Sequence, residues 1–168
     1  MEASTYKQLM KHHAGAAVVI ACGEPGARTG LTATAFCSLS DSPPTVLVCV
    51  NKGASAHPVI AQTRSFSVNV LRNDQTAVAA CFAGQTGLKG EQRFREGDWS
   101  VQQTGAPVMR QALASLDCEL LQAHDHGTHT VFIGLVHAVR SDETSDPLIY
   151  FRGGFNRLGA PAESACTA

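Results

Sequence analysis

The apolar positions divide the chain into short, mostly extended segments. From Ala16 to Cys22 every residue is small or apolar, as in a strand, and Gly23-Glu24-Pro25-Gly26 reads as the turn that ends it. Arg28 to Phe36 then reads as the return strand of a hairpin. Pro43 and Pro44 break the chain, and the valine-rich run Thr45 to Val50 predicts a strand buried on both faces. A clean period of two lies at Ser65 to Leu71, with Phe66, Val68 and Val70 on one face and Ser67 and Asn69 on the other. Leu113 to Leu121 alternates again and points Leu116, Cys118 and Leu120 inward. Thr130 to Val139 is a long β-rich stretch interrupted by Gly134, and Leu148 to Phe151 is a final strand.

Helical spacing is scarcer. Tyr6, Leu9 and Met10 approach it within Ser4 to His12, with Ser4 as a candidate cap. Ser55 opens a second helix, Ala56 to Gln62, with Pro58 in its first turn. Thr76 to Phe82 predicts a helix of small residues, whereas Gly84 to Trp99 is charged and glycine-rich and reads as a loop or short helix. Many strands with few short helices predict a β-barrel or sandwich with peripheral helices. The length of 168 residues suits one domain, residues 1–158, with a flexible tail over 159–168.

Composition narrows this picture. With 44% hydrophobic and 16% charged residues the chain is of ordinary globular type, so a core of its size needs no covalent staples. A net charge of -1 argues against a nucleic-acid-coating protein, because phosphate binding needs clustered Lys and Arg. No long apolar run and no signal peptide stand out, so the expectation is a soluble, cytoplasmic protein that does not engage a membrane. The six cysteines at 22, 37, 49, 81, 118 and 166 form no CxxC pair, and the first five lie among apolar or small residues, as free buried thiols do. Redox chemistry in such a chain would use a bound cofactor and not a dithiol.

Several segments could carry chemistry. Gly30 to Ser40 combines a leading glycine, small side chains and four hydroxyls, which would let a planar ligand lie close to the backbone. A plain edge strand is the commoner meaning of that composition. Val50-Asn51-Lys52-Gly53-Ala54-Ser55 runs from an apolar strand through a glycine turn into a helix, which would gather N–H groups, a lysine and a hydroxyl around an anion. A simple turn capped by Ser55 explains it equally. Lys89, Arg93 and Arg95 near Phe82 and Phe94 could hold a phosphate or form a solvated loop. His124-Asp125-His126-Gly127-Thr128-His129 invites a metal reading, but Thr130 and Val131 stand where a metal-dependent oxygenase of the cupin type would want a carboxylate. Pro147 to Phe155 joins aromatics, Arg152 and paired glycines, which could frame a flat ring or serve as core at a strand end. No GxGxxG follows a strand, and neither a P-loop nor a GxSxG elbow is present, so a nucleotide would need a scaffold other than the Rossmann fold.

Taken in order over residues 6 to 158, these segments resemble the short-chain flavin reductases, the small components of two-component flavin-dependent monooxygenases. The most specific pieces are Gly30 to Ser40, Val50 to Pro58 and the strand Phe66 to Leu71, followed by Phe94 after a Lys-Gly-Glu run and Gly127-Thr128-His129 before a β-stretch. The resemblance implies a mainly-β, Greek-key split barrel with a few peripheral helices, acting as a homodimer. It implies NAD(P)H:flavin oxidoreductase activity, in which NADH, or else NADPH, reduces FAD or FMN for a partner monooxygenase. It places Thr32, Ala33, Thr34 and Ala35 along the flavin and Ser38 and Leu39 near its isoalloxazine ring. Asn51, Lys52 and Ser55 would meet the ribityl chain or phosphate, and Phe82, Lys89 and Arg93 the phosphate end. Tyr150 and Arg152 sit where the last strand approaches the site. His129 matches the histidine of the family's Gly-Asp-His signature, which helps place the nicotinamide; here the signature reads Gly-Thr-His, with Asp125 slightly earlier. A flavin-binding sensor or carrier without NADH turnover is the competing reading, since fold does not fix function.

Overall fold

The computed structural model describes residues 1–142 and 144–159, so the tail predicted from Gly159 lies, beyond that residue, outside the described part. In chain order the elements are α1 (Ala3–Met10), β1 (Gly15–Ala16), β2 (Val18–Cys22), β3 (Thr29–Ala33), β4 (Phe36–Asp41), β5 (Pro44–Asn51), α2 (Ala56–Thr63) and β6 (Ser65–Val70). They continue with α3 (Thr76–Phe82), a 3₁₀ turn over Gly90–Arg95, β7 (Trp99–Val101), β8 (Pro107–Met109), β9 (Ala114–His126), β10 (His129–Ser141), β11 (Ile149–Phe151) and β12 (Gly154–Asn156).

Seven strands form one antiparallel sheet in the order β3-β2-β6-β9-β10-β5-β4. Its edge strands β3 and β4 are consecutive in sequence, joined only by Thr34 and Ala35. The predicted single strand from Arg28 to Phe36 is therefore two strands. Ala33 still pairs with Val18 of β2, while the Ala35 carbonyl already accepts the Cys49 N–H of β5 at 3.0 Å. So short a link brings the two edges together, and the sheet closes into a barrel split between β3 and β4.

Two apolar cores follow from this closure. Inside the barrel, Val18, Ile20, Val46, Val48, Phe66, Val68, Leu120 and Phe132 pack together, with Ala56 and Ile60 of α2 at one end. On the other face of β2, Ala17, Val19 and Ala21 pack under Val78, Ala79 and Phe82 of α3. The strand buried on both faces is thus β2, all five residues of which are inaccessible, and not β5. In β5 Thr45, Val46, Val48 and Val50 are buried, while Leu47 and Cys49 face outward and are half-buried.

The alternation in β6 is real, but its polar face is buried too. Asn69 donates to the Val19 carbonyl at 3.1 Å and accepts the Met109 N–H at 2.8 Å, and the Ser67 hydroxyl donates to the Pro107 carbonyl. These groups dock the β7–β8 hairpin, which the sequence pattern does not predict. Gly134 does not interrupt β10. It sits beside a register shift, and a Cβ there would lie 2.6 Å from Phe66 Cζ. The residue is absent a side chain because the ring needs the space.

Two predicted caps are corrected. Ser4 lies inside α1, which starts after Glu2 without a side-chain cap. Ser55 stands at the N-cap of α2, but its hydroxyl is hydrogen-bonded to Thr29 Oγ1 at 2.7 Å and not to the helix. Of the described cysteines all are free; Cys22, Cys81 and Cys118 are buried and Cys37 is exposed. Burial pushes the Cys22 and Cys118 thiols up to about 12, so neither supplies a thiolate near neutral pH.

Gly134→Ala should force a methyl group against a ring that cannot move, and overpacking of this kind costs roughly 1–3 kcal/mol. Urea unfolding checks this: the midpoint should fall with an unchanged slope, and a midpoint equal to wild type would refute the packing account. A second expectation concerns Glu91 of the 3₁₀ turn, whose carboxylate takes the Arg28 guanidinium and backbone N–H. The Arg28 hydrogen bonds hold its carboxyl below the ordinary glutamate value of 4.5. A carboxylate lowered in this way stabilises the fold above its unfolded value, and that contribution is lost as pH falls through the folded value. Thermal unfolding of Glu91→Gln should therefore show a lower Tm than wild type at pH 7 and a gap that closes in acid below 4.5. A gap independent of pH would show that the ion pair contributes nothing.

Candidate functional site

β3 strings the candidate groups together because, as an edge strand, it leaves one side of its backbone unpaired. Going along it, Thr29 meets Ser55 at the start of α2. The Gly30 carbonyl accepts the Arg93 guanidinium at 2.9 Å. A Cβ on Gly30 would lie 3.0 Å from the Phe82 ring and 2.7 Å from the Ile20 carbonyl, so only glycine lets α3 come this close. The Thr32 hydroxyl donates to the Ala79 carbonyl at 2.7 Å. Thr29 to Thr34 spans about 17 Å at the usual strand rise.

At the split end of β3 lies a cavity of about 230 Å³ lined by Ala17, Thr32, Ala33, Thr34, Ala83, Gln85, Tyr150 and Phe155. One wall is made of small side chains, the other of two rings packed edge to face at 5.6 Å. Such a slot suits a flat aromatic ligand with polar edges, which Gln85 and the threonines can meet. Tyr150 arrives there because β11 pairs with β1, opposite Gly15, and β12 brings Phe155 back beside it.

A second group sits on the tip of the β9–β10 hairpin and the β5–α2 turn. His129 lies directly opposite Asn51 in the sheet register. Its Nδ1 is 2.8 Å from the Thr128 hydroxyl, and the ring is exposed. The turn is tied to the hairpin twice. The Lys52 N–H donates to the Thr128 carbonyl at 3.0 Å, and Lys52 Nζ pairs with Asp125 at 3.0 Å. Thr130 Oγ1 donates to Asp125 Oδ1 at 2.6 Å, and His57 Nε2 of α2 lies 2.8 Å from the same hydroxyl. Since Thr130 has one proton and Asp125 takes it, His57 must be the donor. The Thr130 hydroxyl and then Lys52 hold the Asp125 carboxyl below the usual carboxylate range.

The structure thus divides the predicted residues. Thr32, Ala33, Thr34 and Tyr150 line the cavity; Asn51, Lys52 and His129 form the hairpin group; neither Ser55, Lys89 nor Arg93 lines the cavity. Phe82 is 2% exposed and its ring is held by Phe94 and Trp99, so its neighbour Ala83 reaches the cavity instead. Arg93 binds the Leu88 and Gly30 carbonyls and braces the loop beside α3. Ala35, Ser38 and Leu39 are exposed beyond the split, the last two on β4. Arg152, at φ 52°, turns the β11–β12 hairpin and donates its backbone N–H to the Lys11 carbonyl at 2.7 Å. Gln85, His57 and Thr130 are not singled out by the sequence, because Gln85 lies in a charged, glycine-rich segment and the other two gain their roles from distant partners; Phe155 belongs to the aromatic segment read as able to frame a flat ring.

Residues 9–159 match the flavin reductase like domain. The chain is 37% identical over 172 residues to the FMN reductase (NADH) RutF of Methylorubrum populi, covering 98% of this chain and 84% of that protein. It is 36% identical over 160 residues to the 4-hydroxyphenylacetate 3-monooxygenase reductase component of Pseudomonas aeruginosa, covering 95% and 94%. Among solved structures, an NADH:FAD oxidoreductase of Streptomyces globisporus in complex with NAD and FAD fragments superposes with a TM-score of 0.86 at 28% identity, covering 95% of this chain and 94% of that one. A split barrel with a flat slot at its seam, matched over nearly its whole length, places the chain in the flavin reductase family.

Proposed function

We propose that the protein is an NADH-dependent flavin reductase that reduces FAD or FMN and passes the reduced flavin to a separate monooxygenase component. The observation that carries this reading is the flat, small-walled cavity at the barrel split, in a chain of this family. Relatives named as NADH-dependent FMN reductases and as a monooxygenase reductase component support the activity and the partner. The bound nucleotides supply the redox chemistry, a hydride moving from nicotinamide C4 to flavin N5.

The chain's own residues bind and orient. Thr32, Ala33 and Thr34 form the floor on which the isoalloxazine lies, with Tyr150 and Phe155 closing the opposite wall. Gln85 offers a donor and an acceptor to the ring edge. In this reading His129 of the hairpin group, beside Asn51 and Lys52, positions the nicotinamide. Proximity of the two rings lowers the barrier by several kcal/mol without an acid or nucleophile from the protein.

The reading includes a homodimer. Leu47, Cys49, Val131, Ile133 and Leu135 share the outer face of β5 and β10 and are half-buried, with no element packed over them among the described residues. The hairpin beyond them is exposed from Leu121 to His129. A second copy laid on this face would cover the aliphatic stripe and bring His129 against the partner. No helix of the described residues is long and apolar enough to cross a membrane. We place the protein in the cytoplasm, where NADH is available.

Purified protein should oxidise NADH only when FAD, FMN or riboflavin is added, as followed by loss of NADH absorbance. Flavin binding without NADH or NADPH oxidation would make it a carrier. His129→Ala should raise the KM for NADH roughly ten-fold, the value of one lost polar contact, while flavin affinity stays within two-fold, about 0.4 kcal/mol. Unchanged NADH kinetics would remove His129 from the site. Light scattering after size exclusion should give a dimer for wild type and a monomer for Ile133→Lys. A monomeric wild type would refute the proposed interface.

A further inference from the structure

Beside the cavity lies a second cleft of about 300 Å³, lined by Lys7, Met10, Lys11, His13, Thr34 and Tyr150. Thr34 and Tyr150 line both spaces, so the two adjoin. No acidic side chain lines either. Of the other cations near the site three are committed, while Lys89 and Arg152 also enter no ion pair among the described residues. Arg28 is paired with Glu91, Lys52 with Asp125, and Arg93 with two backbone carbonyls. Among the described residues Lys7, Lys11 and His13 enter no ion pair.

α1, none of whose residues is buried, carries Lys7, with Lys11 at its C-cap and His13 just beyond. It is tied down at its C-terminal end, where the Lys11 carbonyl accepts the Arg152 N–H at 2.7 Å. That bond links the helix to the β11–β12 turn, the same element that supplies Tyr150 and Phe155 to the cavity. The cavity itself, at about 230 Å³, holds a ring system but not a nucleotide's phosphates. Two nucleotides must meet in the proposed reaction, and each carries phosphate. Asp125 already neutralises Lys52 at the β5–α2 turn, whereas the three basic side chains lining this cleft have no ion-pair partner among the described residues.

We infer that Lys7, Lys11 and His13 form an anion subsite that takes the phosphate or pyrophosphate of a nucleotide whose ring occupies the adjoining cavity. The inference rests on the flavin reductase reading. Ammonium groups act here as point charges on flexible stems, which suits a phosphate entering from solvent. The interaction is at the surface and is weakened by salt.

The test is the double variant Lys7→Gln, Lys11→Gln. Glutamine keeps helix propensity and the replaced side chains support no core, so the fold is retained. Dissociation constants for riboflavin, FMN and FAD are read from quenching of flavin fluorescence, and the KM for NADH from steady-state oxidation. At low salt we expect at least a five-fold loss for a phosphate-bearing ligand and none for riboflavin, with the gap to wild type shrinking as salt is added. Loss for FMN and FAD alike assigns the subsite to the flavin phosphate. Loss for FAD alone assigns it to the pyrophosphate. A raised KM for NADH with unchanged flavins assigns it to the pyridine nucleotide. Riboflavin weakened as much as FMN, or no change in any constant, overturns the inference while wild-type activity upholds the reductase. A wild type that neither binds flavin nor oxidises NADH overturns both.

Discussion

The link of two residues between β3 and β4 governs the rest of the molecule. Across a flat seven-stranded sheet the two edge strands would stand about 29 Å apart, whereas the three Cα steps from Ala33 to Phe36 reach at most about 11 Å. The sheet has no choice but to curl until its edges nearly meet. They do not join, because Thr34 and Ala35 cannot continue pairing with β2 and begin pairing with β5 at the same time. A barrel with one open seam is the outcome, and the seam exposes backbone and small side chains, the floor and polar groups of the proposed flavin site.

Closure also explains why so little of β2 and β6 meets solvent. Curling wraps the inner face of β2 around the first core and leaves its outer face to be covered by α3, which requires the close approach at Gly30. The polar face of β6 is then trapped beneath the β7–β8 hairpin, and no buried side-chain nitrogen or oxygen among the described residues lacks a partner. Asn69 and Ser67 hold that hairpin by direction and not by hydrophobic area, which fixes its register against the barrel.

Where a segment's structure depends on its own period, the chain was legible in advance. The alternation of β6 and the bounds of α3, Thr76–Phe82, were read correctly because each is decided by neighbours in sequence. The break after Ala33 could not be read, since Thr-Ala-Thr-Ala is equally good strand on either side of it and only the distant edges determine where pairing changes. Ser55 was misjudged for a related reason: a hydroxyl at a helix start serves as a cap only when no tertiary partner competes, and Thr29 does. The cavity was half visible. Its β3 floor and Tyr150 came from the family resemblance, since composition alone favours a plain edge strand; the approach of Tyr150 and Phe155 depends on the pairings of β11 with β1 and β12, and Gln85 reaches the cavity from the end of α3.

The substitution of threonine for the acid in the Gly-Thr-His signature has a physical reading in this hairpin. A carboxylate beside the His129 Nδ1 could only accept, which would fix the proton on that nitrogen. The Thr128 hydroxyl, at 2.8 Å, either donates or accepts, so Nε2 is free to present a proton or a lone pair to a ligand. The negative charge that the signature lacks at position 128 is found at Asp125, where it holds Lys52 and, through Thr130, His57. In this chain the acid braces the hairpin against the barrel, and the orientation of His129 is inherited from that brace and not from a charged neighbour of its own.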